Sequence, residues 1–325
     1  MKTKKPDIFL VITMFMLVLA AVLCIVILFV NNQPDTPTPS GNTSTLDTKS
    51  PPNTGEPSMN SNNTGEPVPS ESTEPVTPVN LDPIDRAGLE AALKDSLSGL
   101  TSEWQVMVID PWDDTKVSAT IQCKADAWMT ANRMTPVFIM GAVFQQVADD
   151  TLTLDAVLED VKAMLGGDTY AADRLTETLG GGDAAKGRDT VKTFATNNGL
   201  QLGFNRPNTG TANKKNYVTA QKCAEFLSLI CKGELVSKEA SAQMLELLLT
   251  CANSEDIDTG VTGDGVRCGF IHDVEEKTCI CTMGVVKTND RYFVISVVCN
   301  KPVTTDGAKK KVKELITLTQ PYFEK

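Results

Sequence analysis

Few residues in this 325-residue chain have the type and spacing to do chemistry. Histidine occurs once, as His272, directly before Asp273. An imidazole beside a carboxylate could act as an oriented base, but the sequence offers no evident third partner, so surface or turn duty is expected of His272. Cys279-x-Cys281 is a close pair of soft donors. Its spacing is tighter than zinc knuckles use and there is only the one histidine, so neither a metal nor another cofactor is expected. Arg133 stands just before an apolar helical run, where a guanidinium and a helix N-terminus could together hold a carboxylate or phosphate. Trp128 lies near the same run, and Asp168 precedes a second helical run as a natural N-cap. Arg133, Trp128 and Asp168 are therefore the candidate ligand contacts.

The elements that must position these residues follow from periodicity. Leu89, Leu93, Leu97 and Leu100 recur at helical spacing and predict an amphipathic helix over 85–100. Two strand-like runs, 104–109 and 117–121, flank a Pro-Trp-Asp-Asp turn and read as a hairpin. Helices are expected over 136–147, 154–164, 171–179, 186–197, 220–231 and 238–249. Three strands (266–271, 278–286 and 292–299) and a closing helix (306–322) complete the chain. This order predicts an α+β fold: a five-stranded antiparallel sheet flanked by the N- and C-terminal helices, with a separate helical lobe.

The N-terminal quarter is organised differently. Residues 8–30 carry no charge, and as a helix they would run about 34 Å, enough to cross a hydrocarbon core of roughly 30 Å. Lys2, Lys4 and Lys5 precede them, which places a short tail (1–7) in the cytoplasm and the rest of the chain outside. Residues 31–81 are rich in Pro, Thr, Ser and Asn and too poor in large apolar side chains to fold, so they read as a stalk. A signal anchor, a stalk and an extracellular domain over 82–325 are thus expected. Eight of the nine cysteines follow the anchor: Cys123, Cys223, Cys231, Cys251, Cys268, Cys279, Cys281 and Cys299. An even number on the oxidising side of a membrane makes them disulfide candidates. The net charge of -11 argues against nucleic acid as a partner.

Several landmarks occur in a telling order. They are the apolar run Val137-Phe138-Ile139-Met140-Gly141-Ala142-Val143, then Leu152-Thr153-Leu154-Asp155, then Asp168-Thr169-Tyr170-Ala171-Ala172-Asp173-Arg174-Leu175, and Asn216-Tyr217-Val218-Thr219. Over about 85–323 the chain resembles the class A beta-lactamases and related penicillin-recognising serine hydrolases. The resemblance implies a beta-lactamase-like fold. It also shows where the chemistry departs from the pattern.

The family's Ser-x-x-Lys falls on Arg133-Met134-Thr135-Pro136, which offers neither hydroxyl nucleophile nor amine at the two key positions. A three-residue shift would present Thr130 with Arg133 as its base, a poor one because its pKa exceeds 12. The Ser-Asp-Asn triplet becomes Gly167-Asp168-Thr169, leaving Asp168 as a helix cap. Strand order places Lys-Thr-Gly at Gly269-Phe270-Ile271, without a cation; Lys277-Thr278-Cys279 imitates it but lies too close to Gly284. No glutamate occurs between Leu179 and Ala220 to activate a deacylating water, and Asp183 and Asp189 come too early. The expected function is a membrane-anchored pseudoenzyme that binds a cell-wall (peptidoglycan) peptide or a surface protein noncovalently. The alternatives are a divergent serine hydrolase using substitute residues and a disulfide-held structural domain.

Overall fold

The computed structural model describes residues 82–205, 207, 215–252, 257–288 and 291–324. The expected tail (1–7), anchor (8–30) and stalk (31–81) lie outside the described residues. Among the described residues no helix is long and apolar enough to cross a membrane.

The domain opens with α1 (Arg86–Leu97), capped by Asp85, whose Oδ1 accepts from Gly88 N at 2.9 Å. Its buried residues, Leu89, Leu93 and Leu97, recur every fourth position, as the periodicity requires. A hairpin of β1 (Glu103–Ile109) and β2 (Lys116–Ile121) follows, then a two-residue strand β3 (Met129–Thr130). The helical lobe contains α2 (Pro136–Ala148), a 3-10 turn at Leu154–Ala156, α3 (Leu158–Leu165), α4 (Thr169–Leu179) and α5 (Ala184–Asn197). Strand β4 (Tyr217–Val218) pairs with β3 and leads into α6 (Ala220–Lys232) and α7 (Lys238–Cys251). Three long strands, β5 (Arg267–Glu275), β6 (Cys279–Lys287) and β7 (Tyr292–Asn300), precede α8 (Thr305–Thr319).

The five-stranded sheet has the order β2-β1-β7-β6-β5, with every neighbouring pair antiparallel. It separates two cores. On one face, Phe293, Ile295 and Val297 pack with Leu89 and Leu93 of α1 and Val312 and Leu315 of α8. On the other, Val285, Val294 and Val298 meet the helical lobe, centred on α2. That helix is buried all round from Pro136 to Phe144, which is why its sequence is apolar without a polar stripe. Gly141 lets it approach its neighbours: a Cβ there would stand 2.5 Å from the Phe194 ring and 2.9 Å from that of Phe226.

Two elements differ from their sequence expectation. The run 154–164 is broken at Val157, a β-branched residue with φ -128° and ψ -3°, between the 3-10 turn and α3. Strand β5 does not end at Ile271 but continues to Glu275, paired residue by residue with β6 from Arg267↔Lys287 to Glu275↔Cys279. The polar residues that hide this extension from a reading of hydropathy are the ones that shape the site.

Candidate functional site

The site lies where the turn before α2 meets β5 and the start of α4. A ladder of asparagines holds the turn. Asn132 Oδ1 accepts from Asn216 N at 3.1 Å, and its carbonyl accepts from Asn216 Nδ2 at 2.8 Å. Asn132 Nδ2 also donates to Glu275 on β5. Just upstream, Asn300 at the end of β7 grips the backbone of Thr130: its Oδ1 accepts from Thr130 N at 2.8 Å and its Nδ2 donates to Thr130 O at 2.9 Å. Thr130 is buried in β3 and Thr135 is fully buried, so neither hydroxyl stands open to a substrate.

Arg133 sits on the turn rather than in the helix, which begins three residues later at Pro136. Its side chain is exposed, while its backbone N–H donates to Asp273 Oδ2 at 3.1 Å. Acyl-transfer sites use such backbone donors to hold a developing oxyanion. Here the donor at the aligned nucleophile position already holds a carboxylate of the same chain. Asp273 is 1% exposed. Burial pushes its carboxyl above the usual range, opposed by the Arg133 N–H, the Cys279 thiol and the Arg133 charge.

A cavity of about 40 Å³ remains beside this contact, lined by Arg133, Pro136, Gly167, Asp168, Ile271 and His272 among others. Sites for small organic ligands run to roughly 300–1,000 Å³, so this one has room for water and little more. Arg133 and Asp168 therefore do come together. Trp128 does not join them: it is 47% exposed and outside the lining. Asp168 is the cap of α4, its Oδ1 accepting from Tyr170 N at 2.8 Å and Ala171 N at 3.2 Å. Gly167 and Thr169 flank it, and Gly167 takes the left-handed φ of 103° that its turn needs.

The strand register corrects two expectations. Of Gly269, Phe270 and Ile271, only Ile271 reaches the cavity; the segment beside Arg133 is two residues further on. Gly269 instead lies under α7, where a Cβ would stand 1.9 Å from Leu248 O, and Phe270 belongs to the opposite core. His272 is a buried strand residue, not a surface one: its Nδ1 lies 2.8 Å from Thr282 Oγ1 and its ring stacks on Phe270 at 6.0 Å. Alternation along the strand sends His272 and Asp273 to opposite faces, so they form no dyad. Lys277 is exposed in the β5–β6 turn with φ 58°. Asp183 caps α5 and Asp189 is on its exposed side; neither lines the cavity.

All eight cysteines of the domain are free thiols in the structure, where disulfides are expected from the sequence. The sheet divides them: Cys268 and Cys299 pack with the core of α1 and α8, and the other six with the lobe. Burial pushes the thiols of Cys223 and Cys299 up to about 12, which leaves them protonated and unreactive at neutral pH. Cys279 and Cys281 share one face with Asp273, an association the sequence spacing does not reveal. Elsewhere, an open groove of about 640 Å³ runs between α2 and α5, bordered by Gln145, Gln146, Asn197 and Asn198.

A family model described as the beta-lactamase enzyme family matches residues 160–318. Among solved structures, the TLA-3 extended-spectrum beta-lactamase superposes with a TM-score of 0.63 at 14% identity, covering 74% of this chain and 100% of that one. The beta-lactamase from Sphaerobacter thermophilus gives 0.61 at 16% identity, over 74% and 98%. A class A beta-lactamase from Bacteroides cellulosilyticus gives 0.61 at 13%, over 74% and 99%. No curated protein matches the chain.

Proposed function

Starting from the beta-lactamase fold of this chain, we propose that the protein is a pseudoenzyme. It is held outside the cell by the 8–30 segment and recognises a cell-wall peptide or a protein partner without covalent turnover. The observation that carries this reading is the bond from Arg133 N–H to Asp273 Oδ2. A backbone donor of the kind that stabilises an acyl-transfer oxyanion is committed to an internal carboxylate, beside a cavity of only about 40 Å³. Residue chemistry supports the same reading, because position 133 lacks a hydroxyl and position 136 an amine. Recognition would then run over the outside of the domain, where the α2–α5 groove is the roomier surface and is bordered by polar and charged side chains.

The test is intact-protein mass after incubating the full chain with excess benzylpenicillin, with a parallel assay for ring-opened product. An unchanged mass and hydrolysis no faster than buffer are expected. A stoichiometric adduct mapping to Thr130 or Thr135 would instead establish the divergent serine-hydrolase reading.

A further inference from the structure

We propose that Asp273, Cys279 and Cys281 form a binding site for a thiophilic divalent cation, zinc being the natural occupant, beneath the turn that carries Arg133. The sequence presents two cysteine donors and no third. Strand pairing supplies it: Asp273 on β5 is the direct cross-strand partner of Cys281 on β6, and Cys279, two residues away, faces the same side. All three side chains are buried, and one ligand atom from each lies within 4.8 Å of the others. Cys279 Sγ stands 3.4 Å from Asp273 Oδ2. A tetrahedral ion at about 2.3 Å from sulfur and about 2.0 Å from oxygen would set those two atoms roughly 3.5 Å apart.

A second observation points to a ligand independently. Asp273 Oδ1 is buried and makes no hydrogen bond among the described residues. A carboxylate oxygen left so is costly, and a cation in the cluster would satisfy it. Two sulfurs and a carboxylate favour zinc over magnesium or calcium, which select oxygen donors. The surroundings already orient the donors: Arg133 N–H fixes the carboxylate at 3.1 Å, and the Thr130 carbonyl, 3.5 Å from Cys281 Sγ, is a further oxygen at hand. On binding, each thiol releases a proton to solvent and no electrons move. The fourth position falls to Oδ1 itself. Because the cluster is closed over, the ion is taken up as the chain folds.

Cobalt(II) alone is the probe. Added to the reduced, chelator-stripped full chain during refolding, it should bind one equivalent per chain, with a sulfur-to-cobalt charge-transfer band and intense tetrahedral d–d bands that zinc bleaches. The bands should vanish in the double variant C279S/C281S, weaken at least about tenfold in affinity in Asp273→Asn, and persist in Cys223→Ser and Cys268→Ser. Should the double variant fail to fold, the wild-type chain decides: zinc should raise its thermal midpoint and magnesium should not. Absence of the bands in reduced wild type overturns the proposal. So do bands that survive loss of both cysteines, a midpoint indifferent to zinc, or a Cys279–Cys281 disulfide in peptide maps of the protein as purified.

Discussion

Asp273 is the residue on which the site turns, and one experiment follows from its position. Restoring the family's pair with the double variant R133S/P136K supplies a hydroxyl and an amine but leaves the 133 N–H bonded to the buried carboxylate. That variant is expected to remain unacylated by benzylpenicillin in an intact-mass assay; a stoichiometric adduct would show that Asp273 gives way to substrate. Sequence legibility at this scale was uneven. Asp168 was legible as a cap because Asp before a helical run satisfies backbone donors by local geometry alone. The roles of Asp273, Asn300 and Asn132 were not, since each depends on partners 140, 170 and 143 residues away in sequence. The burial of His272 is hidden from the sequence for a related reason: whether a polar residue is buried depends on a cross-strand partner, here Thr282.

Elements were legible wherever one pattern ran unbroken. The leucine spacing of α1, the alternation in β2, and the continuous apolar run of α2 each specified the observed structure. The end of β5 was not, because His272-Asp273-Val274-Glu275 interrupts the apolar run while the backbone ladder continues. The longer strand sets the segment beside Arg133 two residues beyond Gly269-Phe270-Ile271. Gly269 marks the cost of its true environment. A methyl group there would collide with Leu248 O at 1.9 Å, which is backbone and cannot swing aside. Gly269→Ala should therefore lower stability by about 1–3 kcal/mol or more through separation of β5 from α7, seen as a reduced urea midpoint. An unchanged midpoint would mean that α7 shifts freely on the sheet.

For the whole domain, the architecture follows from a sheet that divides two cores, and this was legible from element order alone. Less legible was the ion pair that ties the end of β1 to the start of β7. Arg291 Nη2 lies 2.8 Å from Asp110 Oδ2, both buried, and Arg291 Nη1 donates to Asp82 O at 2.9 Å. Burial holds the Asp110 carboxyl above its usual value, with Arg291 pulling the other way. Arg291→Met removes that pull and should cost about 3–5 kcal/mol at neutral pH. The deficit should shrink on acidification, because a carboxyl whose folded-state pKa is raised binds its proton more tightly folded than unfolded, and stability falls as pH rises through that pKa. Chemical denaturation across pH checks the sign; a deficit that grows toward acid would contradict it.

The bond between Arg133 and Asp273 also bears on how such proteins are counted. Fluorescent penicillins visualise only those cell-surface proteins that open the ring and keep it. On the reading proposed here, a gel stained in that way would pass over this chain despite its fold, and any census built on such labels would underestimate how many copies of the architecture a cell displays.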